Sequence, residues 1–286
     1  LMLIPGLLFL FIFNYLPIGG IWIAFQDYNI FKGVFGSEFV GLDNFRRLFS
    51  SSDFMVVFRN TLIISILKII ILFPLPIILA ILLNEIKNAV FKKTVQTVIY
   101  LPHFLSWVIV SGLFINLLSV HGGFVNEVIK TLGREPISFF TSKQHFRGLL
   151  IFTEGWKEIG WGTIVYLAAI TGIDQEQFES AKIDGANKLQ EIIYITIPSI
   201  SPTIILMFIL RLGRILEAGT EQILVMYNPV VYEVSDVIGT YVYRVGLGTS
   251  DYSFSTAVGL FNSVVSFILI IIGNRLAKKW FDSSIW

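Results

Sequence analysis

Two arginines interrupt a long apolar run in the carboxyl-terminal half of the chain, and their type suits the binding of carboxylates. Arg211 and Arg214 lie three residues apart, so on a helix they share one face. A charge at membrane depth is costly and usually lines a cavity or meets a partner, and a guanidinium group holds a carboxylate through paired N–H donors. The pair predicts either a path for a substrate that carries carboxylates or an interhelical salt-bridge network.

A second charged cluster lies in the preceding apolar run, where Glu154, Lys157 and Glu158 alternate with Trp156 and Trp161. Glu154 and Lys157 are spaced for an ion pair one helical turn apart. The two tryptophans can stack on the C–H faces of sugar rings, or they can anchor a helix at the lipid interface. We expect these five residues and the two arginines to line a substrate path.

Composition decides what kind of element must carry these residues. The chain is 55% hydrophobic and 14% charged, with a mean hydropathy of +0.75, which is typical of a membrane protein that spans the bilayer several times. Its formal net charge of +1 and the lack of a basic stripe argue against nucleic-acid binding. The absence of cysteine excludes disulfides, thiol catalysis and thiolate metal sites. Lys68 is expected to be buried against a neighbouring helix or to snorkel.

Hydropathy predicts an all-α integral membrane protein with six transmembrane helices in a single domain, residues 1–286. The spans are placed at 2–26, 60–84, 97–119, 148–173, 198–218 and 253–277. Short segments at two span ends are basic, which marks the cytoplasmic side: Lys87, Lys92, Lys93, Arg275, Lys278 and Lys279. By parity, both termini and residues 174–198 are cytoplasmic. Three longer connections face outward, at 27–59, 120–147 and 219–252, and the last two are our first candidates for contact with a soluble partner.

The polar segment between the fourth and fifth spans carries signals for two short helices. Asp174 can cap the first helix, with Gln177 three residues later completing a capping box. Gly185 offers a break, and residues 187–197 can form the second helix. Pro198 then suits the first turn of the following span. Two short helices hinged at a glycine make a rigid element on which a soluble partner can dock.

The same segment carries a family resemblance. Glu179-Ser180-Ala181, Gly185, Ile195, Ile197 and Pro198 match the E-A-A, three-residue gap, G, nine-residue gap, I-x-L-P signature of binding-protein-dependent ABC importer permeases, with Ser180 and Ile197 as mild departures. Further stretches extend the resemblance over nearly the whole chain, at 100–114, 156–174, 234–247 and the ending 274–286. The chain resembles the polysaccharide and lipoprotein branch of the carbohydrate importers, and within it the alginate importers.

This resemblance implies a type I importer fold in which residues 174–198 form the coupling helices that dock on an ATPase. By position the coupling residues are Glu179, Ser180, Ala181, Asp184, Gly185, Ala186, Ile195 and Pro198. The implied partners are a second homologous permease, an ATPase dimer, an extracytoplasmic solute-binding protein, a saccharide substrate and the lipid of the bacterial inner membrane.

Several absences bear on energy and chemistry. The sequence contains no G-x-x-x-x-G-K-[ST] phosphate loop, so ATP and Mg²⁺ are expected on the partner ATPase subunits, and no cofactor is expected in this chain. His103, His121 and His145 are far apart and lack metal-site spacing, and no nucleophile motif occurs. We therefore expect a permease subunit with neither a catalytic residue nor a metal site. An ion-coupled secondary transporter and a membrane enzyme that uses Glu154 or Glu158 as acid or base remain as alternatives.

Overall fold

The computed structural model describes residues 2–281, and helices make up most of this part of the chain. The α-helices are α1 (Ile4–Leu10), α2 (Gly33–Gly36), α3 (Asp43–Ser50), α4 (Ser52–Leu72), α5 (Pro74–Glu85), α6 (Ala89–Tyr100), α7 (Trp107–Leu118), α8 (Phe124–Thr131), α9 (Phe146–Thr171), α10 (Gln175–Ile183), α11 (Lys188–Glu191), α12 (Ile197–Gly213), α13 (Thr220–Met226), α14 (Tyr232–Ser235), α15 (Ile238–Gly246) and α16 (Tyr252–Phe281). Wider turns of π-helix extend them at Phe11–Tyr15 and Ile192–Thr196. Stretches of 3₁₀-helix extend or join them at Leu16–Phe25, Leu101–Phe104, Ile215–Glu217 and Pro229–Val231. Strands β1 (Gln26–Asp27) and β2 (Glu38–Phe39) form a small antiparallel hairpin in which Gln26 faces Phe39.

Four of the six predicted spans correspond to helices that are long and apolar enough to cross a membrane. Within residues 2–281 these are Ile4–Phe25, Ser52–Glu85, Lys188–Gly213 and Tyr252–Lys279. They match the predictions at 2–26, 60–84, 198–218 and 253–277, although the helices that begin at Ser52 and Lys188 start well before the predicted apolar runs. Polar amino-terminal turns extend these two helices, and a hydropathy window does not detect such turns.

The third predicted span, 97–119, is not a straight helix. The segments Ala89–Phe104 and Trp107–Leu118 meet at an angle of 105°. Pro102 lies in the tight turn before the bend, and the hydroxyl of Ser106 accepts a hydrogen bond from the backbone N–H of Ile109 at 3.3 Å, which starts α7 as a new helix. Hydropathy alone therefore did not detect this break, which is made by Pro102 and the capping hydroxyl of Ser106.

The fourth predicted span, 148–173, is helix α9, and it is the most charged of the long helices. Its 26 residues give a length of about 39 Å, more than the roughly 30 Å hydrocarbon thickness. Glycines allow close approach of its neighbours: a Cβ on Gly160 would lie 1.8 Å from the carbonyl oxygen of Ile99, and one on Gly162 would lie 3.1 Å from Pro76. Close packing on α5 and α6 keeps the charged middle of α9 inside the protein.

The fifth span ends earlier than predicted. Helix α12 stops at Gly213, and Arg214 is the residue that follows it. The chain then turns through Ile215–Glu217 and reverses at Ala218 and Gly219, which have left-handed φ angles of 50° and 80°. The prediction of a helix to residue 218 is wrong, because α12 ends at Gly213 and the chain has turned before it reaches Ala218.

Three buried clusters hold the bundle together. One joins α4, α7, α9 and α13 through residues such as Ile64, Phe114 and Ile223. A second joins α3, α4, α15 and α16 and is rich in aromatic rings, and a third joins α5, α9 and the start of α12. The polar segment that follows α9 packs on the third cluster.

Candidate functional site: an internal charged cavity and an exposed helical loop

A cavity of about 540 Å³ opens between α4, α5, α9, α12 and the turn at 214–219. It is lined by charged, aromatic and apolar groups, among them Lys68, Trp107, Glu154, Glu158, Trp161, Tyr166, Met207, Arg211, Arg214 and Glu217. Five of the seven residues predicted for the substrate path therefore reach one space: Glu154, Glu158, Trp161, Arg211 and Arg214. The other two, Lys157 and Trp156, do not line it.

Glu154 is the centre of the cavity's charge network. One of its carboxylate oxygens accepts a hydrogen bond from Arg211 at 2.6 Å, and the other is paired with Lys68. The Glu154 and Lys68 side chains are only 8% and 2% exposed, whereas Arg211 is 43% exposed. Two cations thus share one buried carboxylate. The predicted pairing of Glu154 with Lys157 is wrong, because Glu154 points toward α4 and α12.

Lys68 fixes the turn that follows α12. Its ammonium group donates to the carbonyl oxygen of Ala218 at 2.9 Å and to Oε1 of Gln222 at 2.7 Å. Gln222 in turn donates to the carbonyl oxygen of Leu150 at 2.7 Å. A Cβ on Gly219 would lie 2.5 Å from the Lys68 amino nitrogen, so a larger residue here would push this ammonium group away from its partners. The prediction that Lys68 is buried against another helix is confirmed.

Arg214 has a different environment from Arg211. Its Nε lies 3.2 Å and 3.1 Å from the two carboxylate oxygens of Glu217, and the two side chains are 73% and 53% exposed. This local pair lies in the turn after the helix and not on α12 itself. Arg211 and Arg214 do not share a helical face, but both reach the cavity.

A second network borders the cavity at the break before α7. Lys157 donates to the carbonyl oxygen of His103 at 2.6 Å and pairs with Glu158 at 3.0 Å. Nδ1 of His103 lies 2.8 Å from the other oxygen of Glu158. The His103 ring stacks on Trp161 with centroids 4.4 Å apart and planes inclined by 5°. Lys157 therefore ties α9 to the bend and does not enter the cavity.

Trp156 also lies outside the cavity. Its ring packs edge-on against Phe114, with centroids 5.4 Å apart. Trp161 and Trp156 are five residues apart on α9, so they lie on different sides of the helix. Of these two tryptophans, Trp161 is the one that lines the cavity.

The polar segment after α9 forms two helical pieces joined by a tight turn. The Asp174 carboxylate accepts a hydrogen bond from the N–H of Glu176 at 3.0 Å, which caps α10 as predicted. Gly185 adopts a φ of +78°, which confirms the break there. The capping box lies at Asn187 and Gln190, not at Asp174 and Gln177. The signature motif thus lies on and around a sharp, well-capped turn.

The second piece of this segment is not a separate helix. It begins as α11, continues through the wider turn Ile192–Thr196 and runs into α12, so that Lys188–Gly213 is one continuous helical element. The prediction of a helix that ends at residue 197 is wrong, because Pro198 lies in the first turn of α12 without interrupting the helix.

Contacts at its base hold the segment to the bundle. Phe178 and Ile195 pack against the buried cluster that contains Leu83 and Ile170. Lys188 pairs with Glu191 at 2.8 Å and with Glu85, at the end of α5, at 3.3 Å. The segment is therefore held to the bundle at its base and projects from it.

The tip of the segment is open to solvent. Of the eight residues predicted to contact an ATPase, five are exposed, namely Glu179, Ser180, Asp184, Gly185 and Pro198, and three are half-buried, namely Ala181, Ala186 and Ile195. A shallow hollow of about 260 Å³ lies beside the turn and includes Asp184, Gly185 and Tyr194. Sequence reasoning missed the large exposed side chains Ile183 and Tyr194, which are 88% and 74% exposed. Ile183 had a signal, since it is an apolar residue between Lys182 and Asp184, whereas Tyr194 lies in the apolar run 192–195 and had none.

Comparison with known proteins identifies the family. The family model for the binding-protein-dependent transport system inner membrane component matches residues 72–282. The chain belongs to this family. The permease is 47% identical over 286 residues to the polygalacturonan/rhamnogalacturonan transport system permease protein YteP of Bacillus subtilis (strain 168), covering 100% of this chain and 89% of that relative. It is also 47% identical over 280 residues to protein LplB of the same organism, covering 98% of this chain and 88% of LplB.

Two solved structures match the permease over almost its full length. One is a bacterial alginate ABC transporter in complex with an alginate pentasaccharide-bound periplasmic protein, where the TM-score is 0.92 at 40% identity, covering 99% of this chain and 95% of that chain. The other is a bacterial ABC transporter involved in the import of the acidic polysaccharide alginate, with a TM-score of 0.90 at 41% identity, covering 98% and 94%. The predicted all-α fold of a type I importer permease and the inner-membrane location are confirmed.

Proposed function

We propose that this permease is one transmembrane subunit of an ATP-driven importer of oligosaccharides, with a preference for acidic ones. One observation carries the proposal: Lys188–Gly213 is a continuous helical element that begins at the exposed turn and ends beside Arg211 at the cavity. A continuous helical element of this kind connects its exposed end to a site about 35 Å away, at 1.5 Å per residue over the 23 steps from Lys188 to Arg211. Motion of a docked motor is thereby linked to the substrate path.

The ATPase and the solute-binding protein are separate chains. Since the sequence has no phosphate loop, ATP and Mg²⁺ are bound by an ATPase dimer that docks on Glu179, Asp184 and Gly185 from the cytoplasm. A second, homologous permease completes the pathway, and a solute-binding protein delivers the saccharide from outside. The solved alginate transporter carries a periplasmic protein loaded with an alginate pentasaccharide, which supports a partner of this kind.

The preference for an acidic saccharide follows from the charge of the cavity. Lys68 and Arg211 share the single carboxylate of Glu154, so this network carries one excess positive charge, and Arg211, which is 43% exposed, presents it to the cavity. Trp161 adds an aromatic ring to the wall of the same cavity. The substrates in the names of relatives, polygalacturonan and alginate, are both acidic polysaccharides, which agrees with this charge.

Transport by the reconstituted system tests the proposal. The assembled transporter, with its binding protein outside and ATP enclosed in proteoliposomes, should accumulate trigalacturonate, and a non-hydrolysable ATP analogue should abolish the uptake. Galactotriose is the neutral control of the same length. Uptake that continues without ATP and collapses with the ion gradient would instead support a secondary transporter. Equal uptake of both trisaccharides would remove the acidic preference but retain the importer.

A further inference from the structure

We propose that Glu217 acts as a built-in competitor for Arg214, so that Arg214 exchanges this partner for a substrate carboxylate while Arg211 does not. The inference rests on the proposed function and assigns different tasks to the two arginines. Both side chains reach the same cavity, but their partners differ in burial and in bond geometry. These differences decide which guanidinium group is available to a ligand.

Arg211 has a permanent partner. Its bond to Glu154 is short, at 2.6 Å, and the carboxylate is 8% exposed. Removing Arg211 from this bond would leave a buried carboxylate with less neutralisation, which is unfavourable in a shielded site. Arg211 therefore sets the charge of the cavity, and it stays attached to Glu154 when a substrate enters.

Arg214 has a weak and exchangeable partner. Its contacts with Glu217 are 3.1 Å and 3.2 Å long, whereas charge-assisted bonds of this type are usually about 2.7–2.9 Å. Both contacts come from Nε, so the two terminal amino groups of the guanidinium remain for a ligand. The pair is also largely exposed, at 73% and 53%, and exposed pairs are bound only weakly.

The backbone beneath the pair is fixed even though the side chains can move. Lys68 donates to the carbonyl oxygen of Ala218, and Thr220 donates to that of Glu217 at 2.7 Å. Ser65 donates to the carbonyl oxygen of Ile215. A substrate carboxylate can thus replace Glu217 by side-chain rotation alone, without displacement of the turn.

The arrangement gives the cavity a way to discriminate between saccharides. A neutral sugar offers no carboxylate, so Arg214 remains with Glu217 and contributes nothing to binding. An acidic sugar displaces Glu217 and gains a paired contact with Arg214. Glu217 thereby lowers the attraction of the cavity for anions, and Arg214 supplies the discrimination.

Binding of trigalacturonate and galactotriose to the assembled transporter in lipid nanodiscs, without binding protein, tests this assignment by calorimetry. Glu217→Gln should tighten trigalacturonate binding by about two- to fivefold, the size expected for removal of an exposed ion pair. Arg214→Gln should weaken it by about tenfold, the size expected for loss of a charged hydrogen bond. In the double variant the gain from Glu217→Gln should vanish, because no guanidinium remains to be released. None of these substitutions should change the affinity for galactotriose.

Asp43→Asn is the matched control, because Asp43 and Arg46 form an exposed pair of the same spacing far from the cavity, with side chains 63% and 80% exposed. It should change neither affinity. The inference is overturned if Glu217→Gln weakens trigalacturonate binding, or if its effect persists in the Arg214→Gln background. Binding of galactotriose but not trigalacturonate by the unmodified transporter would instead contradict the acidic preference itself, so the two failures are distinguishable.

Discussion

Lys68 on α4 and Glu154 on α9 form an ion pair inside the protein, with 2% and 8% of their side chains exposed. The pair joins two helices to the turn after α12, because Lys68 also holds the carbonyl oxygen of Ala218. Charges at such depth are tolerated when each meets an opposite charge and further hydrogen bonds. This junction explains how α9 lies within a membrane protein despite its charged residues.

Replacement of Lys68 by methionine should destabilise the transporter. Loss of one member of a buried pair typically costs about 3–5 kcal/mol, and the lower end is expected because Arg211 still contacts Glu154. The midpoint of heat-induced unfolding of the purified transporter measures the effect. Lys143→Met is the control, because the pair of Lys143 with Glu233 is 52% and 63% exposed, and its loss should cost no more than about 0.5 kcal/mol. Equal stability of the two variants would refute a structural role for Lys68.

Gly219→Ala should be more harmful than the same change at another left-handed glycine. Both Gly219, with φ +80°, and Gly133, with φ +72°, impose strain on alanine of about 1–2 kcal/mol. Only at Gly219 does the new Cβ meet the Lys68 amino nitrogen, at 2.5 Å, whereas nothing lies within 4 Å at Gly133. Thermal stability and uptake should therefore fall further for Gly219→Ala than for Gly133→Ala. Equal losses in the two variants would show that the Lys68 side chain moves aside without cost.

Two glycines on α9 provide a similar test of helix packing. Alanine at position 160 would place its Cβ 1.8 Å from the carbonyl oxygen of Ile99, which forces α6 and α9 apart, and we expect a loss of about 3 kcal/mol or more. Alanine at Gly148, where nothing lies within 4 Å, should be neutral or stabilising by up to about 1 kcal/mol because it improves helix propensity. Unfolding midpoints of the two variants measure the contrast. A tolerated Gly160→Ala would contradict the close crossing.

Local signals in the sequence sufficed for much of the exposed loop. Asp174 as a helix cap and Gly185 as a break were predictable, because each depends on a residue's own conformational preference. The burial of Lys68 was also predictable, since a charge in an apolar run needs a partner. The continuity of 188–213 was not, because Pro198 is equally compatible with a helix start and with a wider turn inside a longer helix.

The partners within the cavity depended on tertiary structure. Lys68 and Glu154 are on different helices, 86 positions apart, so local spacing instead favoured Lys157 as the partner of Glu154. Arg214 was placed on α12 because the apolar run was taken to continue past Gly213, although a glycine is a common helix end and α12 does stop there. The sequence predicts that Trp156 and Trp161 both line the substrate path, although five residues separate them on α9. Which of them faced the cavity was decided by packing against Phe114 and His103.

We expect the exposed turn to couple ATP hydrolysis to the cavity. The rate of ATP hydrolysis by the assembled transporter in nanodiscs tests this coupling most directly. Substrate-loaded binding protein should stimulate ATP hydrolysis in the unmodified transporter, and Glu179→Lys or Gly185→Leu should abolish the stimulation. Gln177→Lys is the control, because residue 177 lies about 200° around the same helix from residue 179; it should retain the stimulation. Full stimulation in both the Glu179→Lys and the Gly185→Leu transporters would contradict the account.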